Sequence, residues 1–264
     1  MKNIWLAIWT YRHFILSSIS VDFRSRFSRS KLGALWMILN PLAQAAIYAL
    51  ILSEVMAARL PGVDDKLAYS IYLLGGTLGW SLFTELLNRC TTIFIDNANT
   101  LKKVRFPKIC LPLVTSGVAL VNCALLFVAA LLVMGVCGRY PGIHVLWVVP
   151  LVAVTLVLGL SIGLILGTLN VFVRDIGQVV PILLQIMFWF TPIVYSPEIL
   201  PAGIRSLIYL NPMSGIVRGF QDALLFNTVP PWNHILPVAA GAFVLLGFAL
   251  VLFRRASREM ADVL

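Results

Sequence analysis

Charge is scarce in this 264-residue chain. Asp, Glu, Lys and Arg together make up 12% of it, against 60% hydrophobic residues. A soluble domain carries about twice that share of charge, so a mean hydropathy of +0.93 excludes an ordinary water-soluble globular protein. Cysteine is scarce too. Cys90, Cys110, Cys123 and Cys137 form no C-x-x-C pair, which argues against a zinc ribbon or a disulfide framework and leaves them as small apolar packing residues. His13, His144 and His234 lie far apart, and none shares an apolar run with a carboxylate. Neither H-E-x-x-H nor G-x-x-x-x-G-K-[ST] occurs. The chain therefore has no P-loop in which to hold a nucleotide, and it reads as something other than an enzyme.

What the chain has instead is long uncharged runs. Between successive charges lie 32–53, 67–84, 109–138, 140–173, 176–197 and 223–253. A helix rises about 1.5 Å per residue and a bilayer core takes roughly 20 apolar residues, so each run is long enough, or nearly so, to cross. The shortest must extend past Glu85 toward Ile95. The expectation is an all-α integral membrane protein with one domain over 31–255. Its six spans are expected near 32–56, 68–95, 113–137, 145–170, 176–196 and 234–253, followed by a cytosolic tail at 256–264.

The net charge of +9 is distributed as a membrane topology requires. With the N-terminus in the cytosol, fourteen Lys and Arg fall on cytosolic segments. Five (Arg59, Lys66, Arg139, Arg205, Arg218) fall on the other side, and Arg89 lies within the second span. That is the positive-inside bias with both termini cytosolic, so the basic excess is topogenic and nucleic-acid binding is not expected.

The first thirty residues do not read as a cleavable signal, because Arg12, His13 and a run of serines break the apolar region. Ile4, Ile8, Tyr11, Ile15 and Ile19 recur at helical spacing, and Trp5 and Trp9 suit the headgroup layer. Residues 1–30 are therefore expected to form an interfacial amphipathic helix and basic approach to the first span.

Coupling ions need buried ionisable ligands or broken helices near the midplane. Only Glu85 and Arg89 sit well inside a span. Their i, i+4 spacing, acid first, reads as a self-neutralising intramembrane ion pair rather than a relay or gate. The segments outside the spans are more distinctive. They are RSRFSRSKLGALWMILNP (Arg24–Pro41), DNANTLKKVRFPKICLP (Asp96–Pro112), the Val173-Arg174-Asp175-Ile176 turn, TPIVYSPEILP (Thr191–Pro201) and YLNPMSGIVRGFQDALL (Tyr209–Leu225).

Taken in order from about residue 10 to 255, these segments resemble the permease subunits of ABC exporters for polysaccharides and polyol phosphates, among them O-antigen, capsule and teichoic-acid exporters. The resemblance implies a homodimeric permease working with two copies of a separate cytosolic ATPase that binds ATP and magnesium; no cofactor is expected in this chain. It implies that Lys102, Lys103, Val104, Arg105, Phe106 and Pro107 form a cytosolic coupling helix. The basic residues would meet an acidic rim on the ATPase, and Phe106 would act as an apolar plug. Arg174 and Asp175 would make a smaller contact, or cap the start of the fifth span. It further implies two short extracytoplasmic gate helices between the fifth and sixth spans, near 202–210 and 213–226, with Pro201, Asn211 and Pro212 in the gate.

Sugar chains present C–H faces that suit aromatic rings. Tyr48, Trp80, Phe83, Phe188, Trp189, Phe190 and Tyr195 are the candidate aromatics, and Tyr48 and Phe188 to Phe190 are favoured for the polysaccharide path, the latter lying too deep for an interfacial belt. The expected activity is outward movement of a lipid-linked polysaccharide across the bacterial inner membrane, most like O-antigen export, with capsule or teichoic-acid export as the alternative. A drug or small-lipid exporter of the wider ABC class is one rival. An ion-coupled secondary transporter is the rival of another class.

Overall fold

The structure, a computed structural model, describes residues 10–27, 66–103, 107–136 and 138–263, with positions 35, 36, 39, 42, 43 and 47 between the first two stretches. Most of the expected span at 32–56, with Tyr48, and the coupling-loop residues Val104, Arg105 and Phe106 lie outside the described residues. So do Ile4, Trp5, Ile8 and Trp9 of the expected interfacial helix.

Nine α-helices, and no strand, occur among the described residues: α1 (Arg12–Phe27), α2 (Lys66–Asp96), α3 (Ala98–Lys103), α4 (Cys110–Val136), α5 (Val148–Phe172), α6 (Ile176–Trp189), α7 (Ala202–Ile208), α8 (Pro212–Gln221) and α9 (Trp232–Val263). A 3-10 turn, Ile143–Trp147, leads into α5. Among the described residues three helical stretches are long and apolar enough to cross a membrane: Cys110–Gly135, Ile143–Phe172 and Trp232–Ser257.

The exterior is apolar. Leu132 on α4, Val149 on α5 and Phe243, Val244 and Phe248 on α9 are all exposed, an arrangement suited to lipid and costly in water. The interior is organised around α2, where Ile71, Tyr72, Leu74, Leu78, Phe83, Leu86, Cys90 and Phe94 are fully buried. Trp80 and Phe83 are buried in this core.

A ridge of small residues explains how closely α5 approaches α2. A Cβ on Gly159 would meet Leu86, and one on Gly163 would meet Cys90. On Gly167 it would run into the Cys90 carbonyl oxygen. Three glycines four residues apart bring the two backbones together, as in close-packed membrane helices. Because the contacts advance together along both helices, α2 and α5 run parallel. Buried hydroxyls on α5 are satisfied locally: Thr155, Ser161 and Thr168 donate to Leu151, Leu158 and Leu164 carbonyls at 2.8, 2.9 and 2.7 Å. Asn170 then joins three elements. Its Nδ2 donates to Thr91 O at 2.8 Å, and its Oδ1 accepts from the Gly177 amide at 2.9 Å.

Two expected boundaries shift. The run 176–196 is helical only through Trp189, 14 residues, or about 21 Å, which is shorter than a bilayer core. Pro192 accounts for the stop, since it lacks an amide hydrogen and biases Thr191 away from helix. At the other extreme, α9 runs on through the expected tail to Val263, 32 residues in all. In α1 and just before it, the half-buried positions include Tyr11, Ile15 and Ile19, and the Ile19 side chain occupies the space beside Gly117 of α4 where a Cβ would stand.

Candidate functional site

Two opposite ends of the bundle carry the distinctive segments. At one end the ends of α2, α5 and α9 meet the loop that leads into α4; this is the basic end. At the other, residues 190–231 fold against the start of α2; this is the clamp end.

The clamp begins where α6 stops. Three side chains from elsewhere hold the carbonyls of the Thr191–Tyr195 stretch. Tyr69 Oη donates to Val194 O at 2.6 Å, Tyr72 Oη to Tyr195 O at 2.9 Å, and Gln221 Nε2 to Pro192 O at 3.0 Å. The Tyr195 hydroxyl turns back onto Trp189 O at 3.0 Å, closing the C-terminal end of α6. Asn211 and Pro212 start α8 by a clear mechanism. Asn211 Oδ1 accepts from the Met213 amide at 3.0 Å, and Pro212 fills the first helical position, where no amide hydrogen is needed. Asn211 Nδ2 also donates to Thr191 Oγ1 at 2.8 Å, tying the cap to the end of α6. Pro201 stands at the N-cap of α7, its carbonyl accepting from the Ile204 and Arg205 amides, both at 3.0 Å.

Helix α8 is seated on glycine. Gly75 of α2 lies against the backbone of Phe220 and Gln221, and the Phe220 ring fills the space beside Gly79. Phe220, Gln221, Met213 and Ile216 are fully buried. After α8 the chain makes one π-helical turn, Asp222–Phe226, and ends it at Asn227 with φ +49, a left-handed position that asparagine tolerates.

The clamp is also charged. Arg218 Nε pairs with Asp222 Oδ1 at 3.0 Å and Arg218 Nη2 with Glu198 Oε1 at 3.2 Å. Its guanidinium stands 5.3 Å from the Phe226 ring centre. Burial pushes the Asp222 carboxyl up to about 6 despite the opposing pull of Arg218. Arg205 binds backbone, donating to Pro197 O at 3.1 Å and Glu198 O at 2.9 Å.

At the basic end α3 presents Lys102 and Lys103 to solvent. Pro107 is half-buried, and its carbonyl accepts from the Cys110 amide at 2.9 Å, starting α4. Arg174 and Asp175 are exposed on the turn between α5 and α6. Asp175 occupies the N-cap position of α6 without a side-chain capping bond, so any favourable effect on the helix start comes from its charge near the positive end of the helix dipole.

Between the ends, Arg89 Nε lies 2.9 Å from Glu85 Oε1, and Arg89 Nη1 reaches Asp22 Oδ2 of α1 at 3.5 Å. Asn122 Nδ2 of α4 donates to Glu85 Oε1 at 2.5 Å. The pair is thus part of a polar cluster linking α1, α2 and α4. A cavity of about 610 Å³ opens beside it, lined by Asp22, Arg89, Asp96 and residues of α4.

At the end of α6, Trp189 and the following Phe190 are exposed while Phe188 packs edge-on to Trp80, ring centres 5.9 Å apart. The exposed face of α6 also carries Gln178 and Gln185, which sequence reasoning missed. Tyr69, Tyr72, Gln221, Arg218 and Asp222 were missed as well. The acid and the arginine are spaced i, i+4, a signal the sequence does print.

The family description "ABC-2 type transporter" matches residues 15–225. The chain belongs to the ABC-2 type transporter family. It is therefore a membrane permease of the kind that works with an ABC ATPase. Among curated proteins it is 30% identical over 259 residues to the O-antigen export system permease protein RfbA of Myxococcus xanthus, covering 97% of this chain and 96% of that one. It is 29% identical over 246 residues to the RfbA protein of Klebsiella pneumoniae, 92% of each chain. The polysialic acid transport protein KpsM of Escherichia coli is 22% identical over 240 residues, 90% of this chain and 92% of that one.

Proposed function

We propose that this chain is the transmembrane subunit of an ATP-driven exporter that moves a lipid-linked polysaccharide of O-antigen type outward across the inner membrane. The observation that carries the reading is similarity over 97% of the chain to a permease named for O-antigen export. Capsular polysaccharide export is supported by the more distant KpsM likeness. In this reading the permease is a homodimer with both termini cytosolic. The basic end faces two ATPase copies through Lys102, Lys103 and the loop that follows, with Arg174 and Asp175 as a secondary contact. The clamp is the extracytoplasmic gate, and the stretch 32–56 completes six spans.

The exposed face of α6 supports a conduit. Gln178, Gln185 and Trp189 recur at i, i+7 and i+11 and so share one side of the helix. Amide side chains on a lipid-facing surface are unfavourable, whereas on the wall of a wet path between two copies they are solvated. Trp189 would give that wall a ring for sugar C–H faces. Trp189, Phe190 and Tyr48 are the path residues proposed here; Phe188 is held by Trp80, and Tyr195 serves the end of α6. The lipid is read as a polyprenyl diphosphate carrier, on resemblance alone.

The test is a strain lacking the ATPase partner, and one lacking this permease, assayed for surface polysaccharide. Loss in both supports the reading. Normal surface polysaccharide in either strain, or uphill transport by the permease alone on an ion gradient, overturns it.

A further inference from the structure

Met260 has no exposed surface, although it lies in a stretch containing Arg254, Arg255 and Glu259 that reads as a polar tail. About 20 residues from Trp232 suffice to cross a bilayer, so the turns from Phe253 onward extend beyond it. They keep one apolar side. Phe253 and Met260 are buried, and Ala256 and Ser257 between them are half-buried, a spacing of three, four and seven. That side joins a cluster with Ile93 and Phe94 of α2 and Val171 of α5, against which Leu101 of α3 and Ile109 of the loop are packed. The Phe94 and Phe253 rings stack with centres 5.5 Å apart. One polar strap completes the seat: Lys108 Nζ donates to Ser257 O at 2.6 Å.

A six-residue helix such as α3 is too short to hold its shape alone. If it receives force from a partner, something behind it must resist. We propose that the end of α9, Phe253 to Met260 with its Lys108 strap, is a strut that positions the loop 98–109 for the ATPase. The inference rests on the reading of that loop as the docking element. Met260, Phe253 and Lys108 are positioning residues; they face inward, while Lys102 and Lys103 face out.

The test has two readouts. Hydrogen exchange of amides 98–109 is measured in the purified permease without ATPase. Separately, ATP hydrolysed per polymer exported is measured in the reconstituted complex. Met260→Asp is expected to speed exchange across 98–103 at least tenfold and to raise the ATP cost per polymer several-fold, with Met260→Leu restoring both. Lys108→Met inserts no charge into the seat and serves if Met260→Asp fails to reach the membrane. It should shift both readouts in the same direction by a smaller factor, rescued by Lys108→Arg. Unchanged exchange in both variants overturns the strut whatever the ATPase does. So does faster exchange with an unaltered coupling ratio. The docking reading fails differently, when charge reversal at Lys102 and Lys103 leaves ATPase capture intact.

Discussion

At the clamp end, the Thr191–Tyr195 carbonyls are held by hydroxyls and an amide from positions 69, 72 and 221, and the nearby charges find their partners within the protein. At the basic end, exposed Lys102 and Lys103 stand on an apolar seat. The contrast separates two uses of polarity. Polar groups that satisfy one another inside a protein fix a shape, and losing one partner strands the other. Cations left in water contribute little to stability and remain available to a second molecule. The clamp should therefore fail by unfolding locally, and the loop by losing its partner.

The largest expected effect is at Phe220. Its ring is fully buried and fills the space beside Gly79, so Phe220→Ala should cost about 3–5 kcal/mol. It should lower the thermal unfolding midpoint of the detergent-solubilised protein and loosen α8 from α2. A stability change under about 1 kcal/mol would show that α8 is not seated as described.

Next comes Arg218→Met, which leaves Asp222 largely buried and without its nearest cation. Breaking a buried pair costs about 3–5 kcal/mol. With Asp222 12% and Arg218 20% exposed, roughly 2–3 kcal/mol is the expectation here. The pair also predicts a pH dependence. In the folded clamp Asp222 keeps its proton up to about 6, above the ordinary carboxylate value of about 4. Its titration thus adds stability that is fully present below about pH 4 and is lost as pH rises through about 6. Wild type compared with Asp222→Asn should lose stability across that window. A difference that stays flat with pH would mean Asp222 is better solvated than its burial suggests.

A smaller effect is expected at Tyr72. Tyr72→Phe removes the bond to Tyr195 O but keeps the ring, for a cost of about 1–2 kcal/mol, with increased protease sensitivity in 190–201 as the sign that the clamp segment has come loose.

The helical framework was legible because apolar runs of bilayer length leave few alternatives, and the helices at 110–136 and 148–172 lie close to the runs that suggested them. The Asn211-Pro212 start of α8 was legible in principle too, since cap and first position are adjacent in sequence. Tyr69 and Tyr72 were not, because their acceptors lie 125 and 123 residues away and nothing local marks a tyrosine whose hydroxyl meets a distant carbonyl. The stop at Trp189 could have been read from Pro192. The Gly159, Gly163, Gly167 series was printed in the sequence, but it declares a close helix contact without naming the partner. The apolar side of 253–260 was hidden by the arginines between, which dominate composition while leaving the helical spacing intact.

The smallest change in stability is expected where the change in activity should be greatest. Lys102 and Lys103 close α3 with their side chains exposed, so Lys102→Glu with Lys103→Glu should move the unfolding midpoint by less than about 0.5 kcal/mol equivalent per site. The cationic surface offered to the ATPase would nonetheless be inverted, and like charges brought together across an interface cost several kcal/mol. Capture of the ATPase on immobilised permease should fall by at least tenfold, most strongly at low salt, where screening is weakest. A loss of stability matching that of Phe220→Ala would erase the distinction between the two ends, because it would mean that these lysines hold the loop together rather than present it.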